Sequence, residues 1–262
     1  MDLKIEGKTA LVLAAGGGLG CAIAASLALE GAALALCDID PRALETTASH
    51  IRSKADVPVL TEAADLGDLA AMDSFVTRVS QKLGDIDILV NISGGPPPTT
   101  AANVPAQKWI DQFEVMVVPI IHVTDLVLPA MRKKRWGRII TSASSGVVAP
   151  IPRLGISNTL RSALVGWSKT LAGEVAADGI TVNVIVPGRI ATKRVRQLDD
   201  ARAAQQGQSV EQIIQNSTAT IPLRRYGEPE EYGNVVAFLA SNKASYINGA
   251  MIRVDGGMIQ SV

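Results

Sequence analysis

Aromatic residues make up only 3% of this 262-residue chain, and it carries two cysteines and two histidines. With so few aromatics the core has to be built from Ala, Val, Leu and Ile, the side chains that let helices pack closely on both faces of a parallel sheet. Cys21 and Cys37 cannot make a disulfide framework, and no Cys/His grouping has metal-ligand spacing. No metal site is expected, and a reducing, cytoplasmic setting fits. Net charge is missing too: 25 Lys and Arg balance 25 Asp and Glu, so no global field draws the chain to nucleic acid or anionic lipid. The single basic run, Arg132 to Arg138, reads as cations at a helix C-terminus, where they complement the macrodipole. Leu11 to Leu29 carries no charge and is long enough to suggest a membrane span. Gly16, Gly17, Gly18 and Gly20 sit in its middle, and each costs a helix about 1 kcal/mol relative to Ala. It reads as strand, turn and helix, and no membrane segment is expected.

Hydrophobic residues at 47% against 19% charged supply enough apolar surface for one large core, and the length suits a single α/β domain over 1–262. Residues 8–40 give an apolar run, a glycine turn, a helical period to Gly31 and a second apolar run ending at Asp38, a βαβ unit. Further strands are expected near Val57, Leu89, Ile139, Val184 and Ile252. Helical stretches follow at 69–84, 106–131, 157–179 and 228–241. Alternating strands and helices imply a Rossmann-type, doubly wound parallel sheet of about seven strands with helices on both faces, and ligands beyond the strands' C-terminal ends. A polar, Ala- and Gln-rich insertion around 191–223 is the candidate substrate lid.

Gly18 and Gly20 enter a helix whose exposed amides favour a phosphate. Asp38 ends the next strand about 20 residues on, where a carboxylate accepts from ribose hydroxyls and repels a 2′-phosphate, pointing to NAD rather than NADP. These motifs resemble those of the short-chain dehydrogenase/reductase family, and the likeness to bacterial 3-oxoacyl-carrier-protein reductase-like members runs the length of the chain. The family's Thr-Gly-x-x-x-Gly-x-Gly stands here as Leu13-Ala14-Ala15-Gly16-Gly17-Gly18-Leu19-Gly20, with the Thr and first Gly replaced. Ala14 either crowds the pyrophosphate or fills slack in the turn. The resemblance further places Asp65 and Leu66 on the adenine side. It keeps Asn91 and Gly94 of the Asn-Asn-Ala-Gly element. Pro187, Gly188, Ile190 and Thr192 are expected to face the nicotinamide.

The same resemblance implies an Asn, a Ser, a Tyr and a Lys at the reaction centre. Only the serine remains, as Ser144, with Ser142 and Ser145 one or two residues away. Met116 stands where the Asn belongs, Ser157 at the Tyr position and Arg161 at the Lys position. A serine hydroxyl is a weaker acid than a phenol, and an arginine stays protonated and cannot join a proton relay. Ser157 and Arg161, spaced i,i+4, share a helical face with Ser144 expected opposite. Ser157 reads equally as a helix-capping serine. Arg161 offers a planar fork of donors for ribose hydroxyls or a substrate carboxylate. Arg153, Arg189 and Arg194 are candidates to rim the cleft, or are plain surface charges.

Three functions follow. The first is an NAD-linked oxidoreductase interconverting a hydroxyl and a carbonyl in a small anionic or thioester substrate, through Ser144, Ser157 and Arg161. The second is a catalytically silent subunit that pairs with an active paralogue, and the third a non-redox lyase that needs no nucleotide and stabilises an oxyanion with the same groups. By resemblance the chain forms homodimers or homotetramers through its fourth and fifth helices.

Overall fold

The computed structural model describes residues 2–261. Seven strands are formed: β1 (Thr9–Leu13), β2 (Ala33–Asp38), β3 (Val59–Ala63), β4 (Ile88–Asn91), β5 (Gly137–Ser142), β6 (Ile180–Pro187) and β7 (Met251–Val254). They make one sheet in the order β3-β2-β1-β4-β5-β6-β7, every pairing parallel. Chain order reverses between β1 and β4, which opens a crevice at their C-terminal ends. Leu13, Asp38, Asn91, Ser142 and Pro187 all end strands on that edge.

Alternation along the strands divides the core in two. Leu11, Leu13, Leu89, Ile139 and Val182 face one layer of helices: α3 (Leu69–Leu83), α5 (Val118–Lys134) and α6 (Gly155–Val175). Ala10, Val12, Ile88, Val90, Ile140 and Ile185 face the other: α1 (Gly18–Leu29), α2 (Pro41–Arg52) and α9 (Pro229–Leu239). A sheet buried on both faces accounts for strands that read as unbroken apolar runs.

Several local details depart from the sequence reading. Pro58 has no N–H to donate, so β3 begins after it, at Val59 rather than near Val57. Helix α2 was not among the expected helices; Asp40 caps it, accepting from the amides of Arg42 and Ala43. The expected helix over 106–131 is two helices, α4 (Ala106–Met116) and α5, broken at Val117. Pro119 cannot bond back to the preceding turn, and the chain bends there. The basic run ends α5 as expected, with Arg132, Lys133 and Lys134 in its last turn. Arg138 is the exception: it lies buried on β5 with its guanidinium over the Trp136 ring. Leu11 to Leu29 is β1, a turn and α1, as expected.

The 191–223 segment folds as two helices, α7 (Lys193–Gln206) and α8 (Val210–Ala219). Its anchor is polar. The Arg189 guanidinium, on the loop after β6, donates to Asp199 of α7 at 2.6 Å, and the Tyr226 hydroxyl, beyond α8, donates to the other Asp199 oxygen at 2.9 Å. Asp199 is 1% exposed, so the ion pair is screened little by solvent.

Two predictions follow. Ala14 sits at φ +50° in the glycine turn, which costs an L-residue about 1–2 kcal/mol. Glycine there adds back about 0.4–1 kcal/mol of unfolded-state entropy. Ala14→Gly is therefore expected to raise the melting temperature by roughly 1–4 °C, and calorimetry giving a lower value would contradict the strain. Asp199→Asn leaves the Arg189 charge without its partner and is expected to cost about 2 kcal/mol or more and to expose α7 and α8 to limited proteolysis. An unchanged digestion pattern would show that the pair does not hold the segment.

Candidate functional site

At the end of β1 the chain turns through Ala14 to Gly17, and Gly17 begins α1 with no side chain accepting from the helix's first amides. Those amides belong to Gly18, Leu19 and Gly20, and an uncapped helix start of this kind favours an anion. A Cβ on Gly20 would stand 2.3 Å from the Ala14 carbonyl oxygen, so only glycine lets the helix begin this close to the turn. Asp38 fixes the turn from the side: one carboxylate oxygen accepts from Gly16 N at 2.8 Å and the other from Asp40 N at 2.9 Å.

The loop after β6 closes over the same turn. A Cβ on Gly18 would lie 2.8 Å from the Thr192 methyl, which places Thr192 directly against the glycines. Its hydroxyl also caps α7, accepting from Val195 N. Gly188 N donates to Val254 O, and buried Ile190 bridges to Gly227, so Pro187 to Thr192 is tied to the sheet and to the approach of α9. Asp65 is exposed and accepts from Gly67 N, while Leu66 packs against the core.

At the end of β4, Asn91 is fully buried, and its amide nitrogen donates to the Thr124 hydroxyl at 3.3 Å. The Asn91 carbonyl oxygen and the Ser93 hydroxyl are buried with no partner among the described residues. Buried polar atoms nearly always have one, and a ligand or water supplies it where protein does not. Uncapped amides, a fixed carboxylate and these two orphaned atoms, all on the crevice edge, suit the phosphates and hydroxyls of a dinucleotide. Gly94 is exposed beside them.

The reaction end is built from β5 and α6. Ser144 follows β5 and begins a short 3-10 turn, its hydroxyl accepting from Gly146 N at 3.1 Å. Asn158 in α6 ties down the next stretch by bonding both the amide and the carbonyl of Ile151. Ser142 and Ser145 are buried, which leaves Ser144 as the half-exposed serine of the three. Ser157 is 8% exposed in the first turn of α6. It is not a cap, because Leu154 occupies that position and no side chain bonds the helix start.

Arg161, one turn on, is 9% exposed. Its guanidinium donates to three backbone carbonyls: Ser142 at 3.4 Å, and Ser93 and Gly94 at 3.2 Å each. No carboxylate pairs with it among the described residues, and burial lowers its pKa from the ordinary arginine value. The fork thus braces the end of β5 and the loop after β4 and leaves a positive charge with no carboxylate partner one helical turn from Ser157. Met116 ends α4, buried in the core, and offers no polar group.

The arginines expected at the cleft rim separate. Arg189 is held by Asp199 and is not available to a ligand through that bond. Arg153 and Arg194 are exposed, Arg153 at φ +63° with its carbonyl accepting from Thr99 N. Sequence reasoning missed Ser93, Asn158 and Tyr232. Tyr232 lies fully buried on the far face of the sheet, its hydroxyl 2.8 Å from that of Ser142. Ser93 could have been found, since a hydroxyl two residues past an apolar strand falls inside a stretch already marked. The Tyr232 pairing spans 90 residues and leaves no local signal.

The profile of the family described as "Enoyl-(Acyl carrier protein) reductase" matches residues 13–259. The chain is 34% identical over 258 residues to the 3-oxoacyl-[acyl-carrier-protein] reductase of Escherichia coli, covering 98% of this chain and 99% of that one. Among solved structures, L-sorbose reductase from Gluconobacter frateurii, complexed with NADPH and L-sorbose, superposes with a TM-score of 0.94 at 33% identity over the whole of both chains. An NAD+-bound xylitol dehydrogenase gives 0.88 at 30% identity, over 97% of this chain and 100% of the other. Sequence, sheet order and the crevice at the β1/β4 reversal agree, and the chain belongs to the short-chain dehydrogenase/reductase family.

Proposed function

We propose that this protein is an NAD(H)-linked oxidoreductase that interconverts a hydroxyl and a carbonyl in a small anionic or thioester substrate. The observation that carries the reading is Arg161: a buried cation with no carboxylate partner, one helical turn from Ser157 and bonded to the Ser142, Ser93 and Gly94 carbonyls at the crevice edge. Gly18, Leu19 and Gly20 would hold the pyrophosphate, Asp38 the adenosine ribose, and Asp65 and Leu66 the adenine side. Asn91, Gly94, Pro187, Gly188, Ile190 and Thr192 would line the nicotinamide half. A bound nicotinamide supplies or accepts the hydride.

The side chains then have separate tasks. Ser157 donates a hydrogen bond to the substrate oxygen. Ser144, whose lone pair is occupied by Gly146 N, keeps its O–H free to donate a second. Arg161 supports the charge that grows on that oxygen, in a desolvated place where electrostatic stabilisation is strongest. Proton exchange passes to solvent, because no phenol or ammonium stands at this point. Helices α7 and α8 cover the substrate as a lid. NADPH in some relatives favours the phosphorylated cofactor; the Asp38 carboxylate, fixed by two amides, supports the unphosphorylated one.

A second reading is a catalytically silent subunit. It is favoured by the direction of the Arg161 donors, which are engaged with backbone carbonyls instead of facing a ligand. Under either reading we assign the exposed apolar pair Ile110 and Phe113 of α4, at 50% and 41% exposure, to contact with another copy or a paralogue. A monodisperse monomer by light scattering would contradict that assignment.

Calorimetric titration is expected to give tighter binding of NADH than of NADPH, with Asp38→Ala narrowing the difference. With a 3-oxoacyl thioester, or with L-sorbose as the alternative carbonyl, Ser157→Ala should lower kcat about 100-fold while NADH affinity stays within about two-fold. Binding of NADH with turnover indifferent to Ser157 would remove the proposed site. Absence of turnover alone, together with a stable hetero-oligomer, would establish the silent subunit.

A further inference from the structure

Between α7 and α8 lies an open cleft of about 230 Å³ whose polar lining is Arg189, Arg202, Gln206, Asn216, Ser217 and Thr220, with Arg202, Gln206, Asn216 and Thr220 exposed at its mouth. No acidic side chain lines it. The charge of Arg189 is matched by Asp199, but Arg202 has neither an ion pair nor a side-chain hydrogen bond among the described residues, so the cavity holds one surplus positive charge. The donors are also oriented. Gln212 donates to the Asn216 carbonyl oxygen at 3.0 Å, which leaves the Asn216 amide nitrogen as the free end. Gln206 makes no side-chain hydrogen bond either.

A helix C-terminus ordinarily repels an anion, and this cavity sits near the end of α8. Here those carbonyls are covered. Thr220 N and its hydroxyl both reach Ser217 O, Ile221 N reaches Thr218 O, and Arg224 donates to Ala219 O. The neighbouring cavity, of about 520 Å³, makes the contrast: Glu231 and Asp255 line it, Glu231 pairs with Arg225, and Asp255 accepts from Gly257 N and Ile259 N. With Arg189 matched by Asp199, its other two arginines, Arg225 and Arg253, are equalled in number by Glu231 and Asp255.

We infer that the α7–α8 cavity is a binding site for a small oxyanion, a phosphate group above all, gripped by Arg202 and the amides of Gln206 and Asn216. The volume corresponds to about seven or eight waters at about 30 Å³ each, enough for a phosphate or phosphomonoester terminus and too small for a dinucleotide. An ion there contacts both helices and staples them together. Binding requires neither nicotinamide nor turnover, so it stands or fails independently of the proposed oxidoreductase activity.

The test is calorimetric titration of the full chain with inorganic phosphate, ionic strength held constant with chloride. Saturable binding is expected, weakened about ten-fold or more in Arg202→Gln, since that change removes a charge-assisted hydrogen bond to the ion. Arg196→Gln, at an arginine of the same helix that is exposed like Arg202 but does not line the cleft, should bind within about two-fold of the parent, and phosphate should slow proteolysis of α7–α8. Asn216→Leu gives an independent check should Arg202→Gln fold poorly. Glycerol 3-phosphate separates the sources: binding as tight as phosphate marks a terminus of a larger ligand, and exclusion of the ester marks a site for the free ion. No saturable binding, equal weakening by Arg196→Gln, or indifference to both cavity variants would overturn the inference.

Discussion

The buried guanidinium of Arg161 is the constraint on which the crevice depends. Taking a cation out of water costs several kcal/mol, and the three carbonyls it meets, at Ser93, Gly94 and Ser142, offset that only in part because they carry dipoles and not charge. The same bonds tie the loop after β4 to the end of β5, which fixes the width of the opening. A lysine in this place presents a compact point charge; the planar fork of an arginine spans two strand ends at once. Geometry and electrostatics therefore come from one side chain, and an anionic atom arriving above it recovers desolvation energy that the carbonyls leave unrecovered.

Ser142 extends this brace through the sheet. Its carbonyl accepts from Arg161 on one side, and its hydroxyl pairs with Tyr232 on the other. Burial raises the Tyr232 phenol above its ordinary pKa more than the Ser142 bond and the Arg161 charge lower it. Tyr232 is thus a poor acid at neutral pH, and its position behind β5 keeps it from the crevice. It does not replace the phenol missing at Ser157.

How far the sequence carries the argument depends on the range of the interaction. The parallel α/β sheet, the βαβ unit and the glycine turn follow from local periodicity and were legible, as was the helix that carries Ser157 and Arg161 one turn apart. The break at Val117 was not, because the apolar run continues through it and Pro119 alone marks the bend. The Arg189–Asp199–Tyr226 anchor joins segments up to 37 residues apart, and nothing in their local pattern announces it. Arg161 was legible as a cation at a family position, but not as a brace: which donors face carbonyls is set by the approach of two strand ends that sequence spacing does not specify.

Ala14 sharpens the distinction between fold and chemistry. A non-glycine residue in the left-handed region persists only where its surroundings over-determine it. Here they do: Ala15 N donates to Cys37 O, Gly16 N is held by Asp38, and Gly20 packs onto the Ala14 carbonyl. The turn keeps its shape without the glycine because its neighbours enforce that shape, whereas no neighbour enforces a phenol at Ser157 or an amide at Met116. The turn at the start of α1 is a property of backbone packing and survives substitution. A proton path of the kind the resemblance implies rests on individual side chains, and backbone packing does not enforce those.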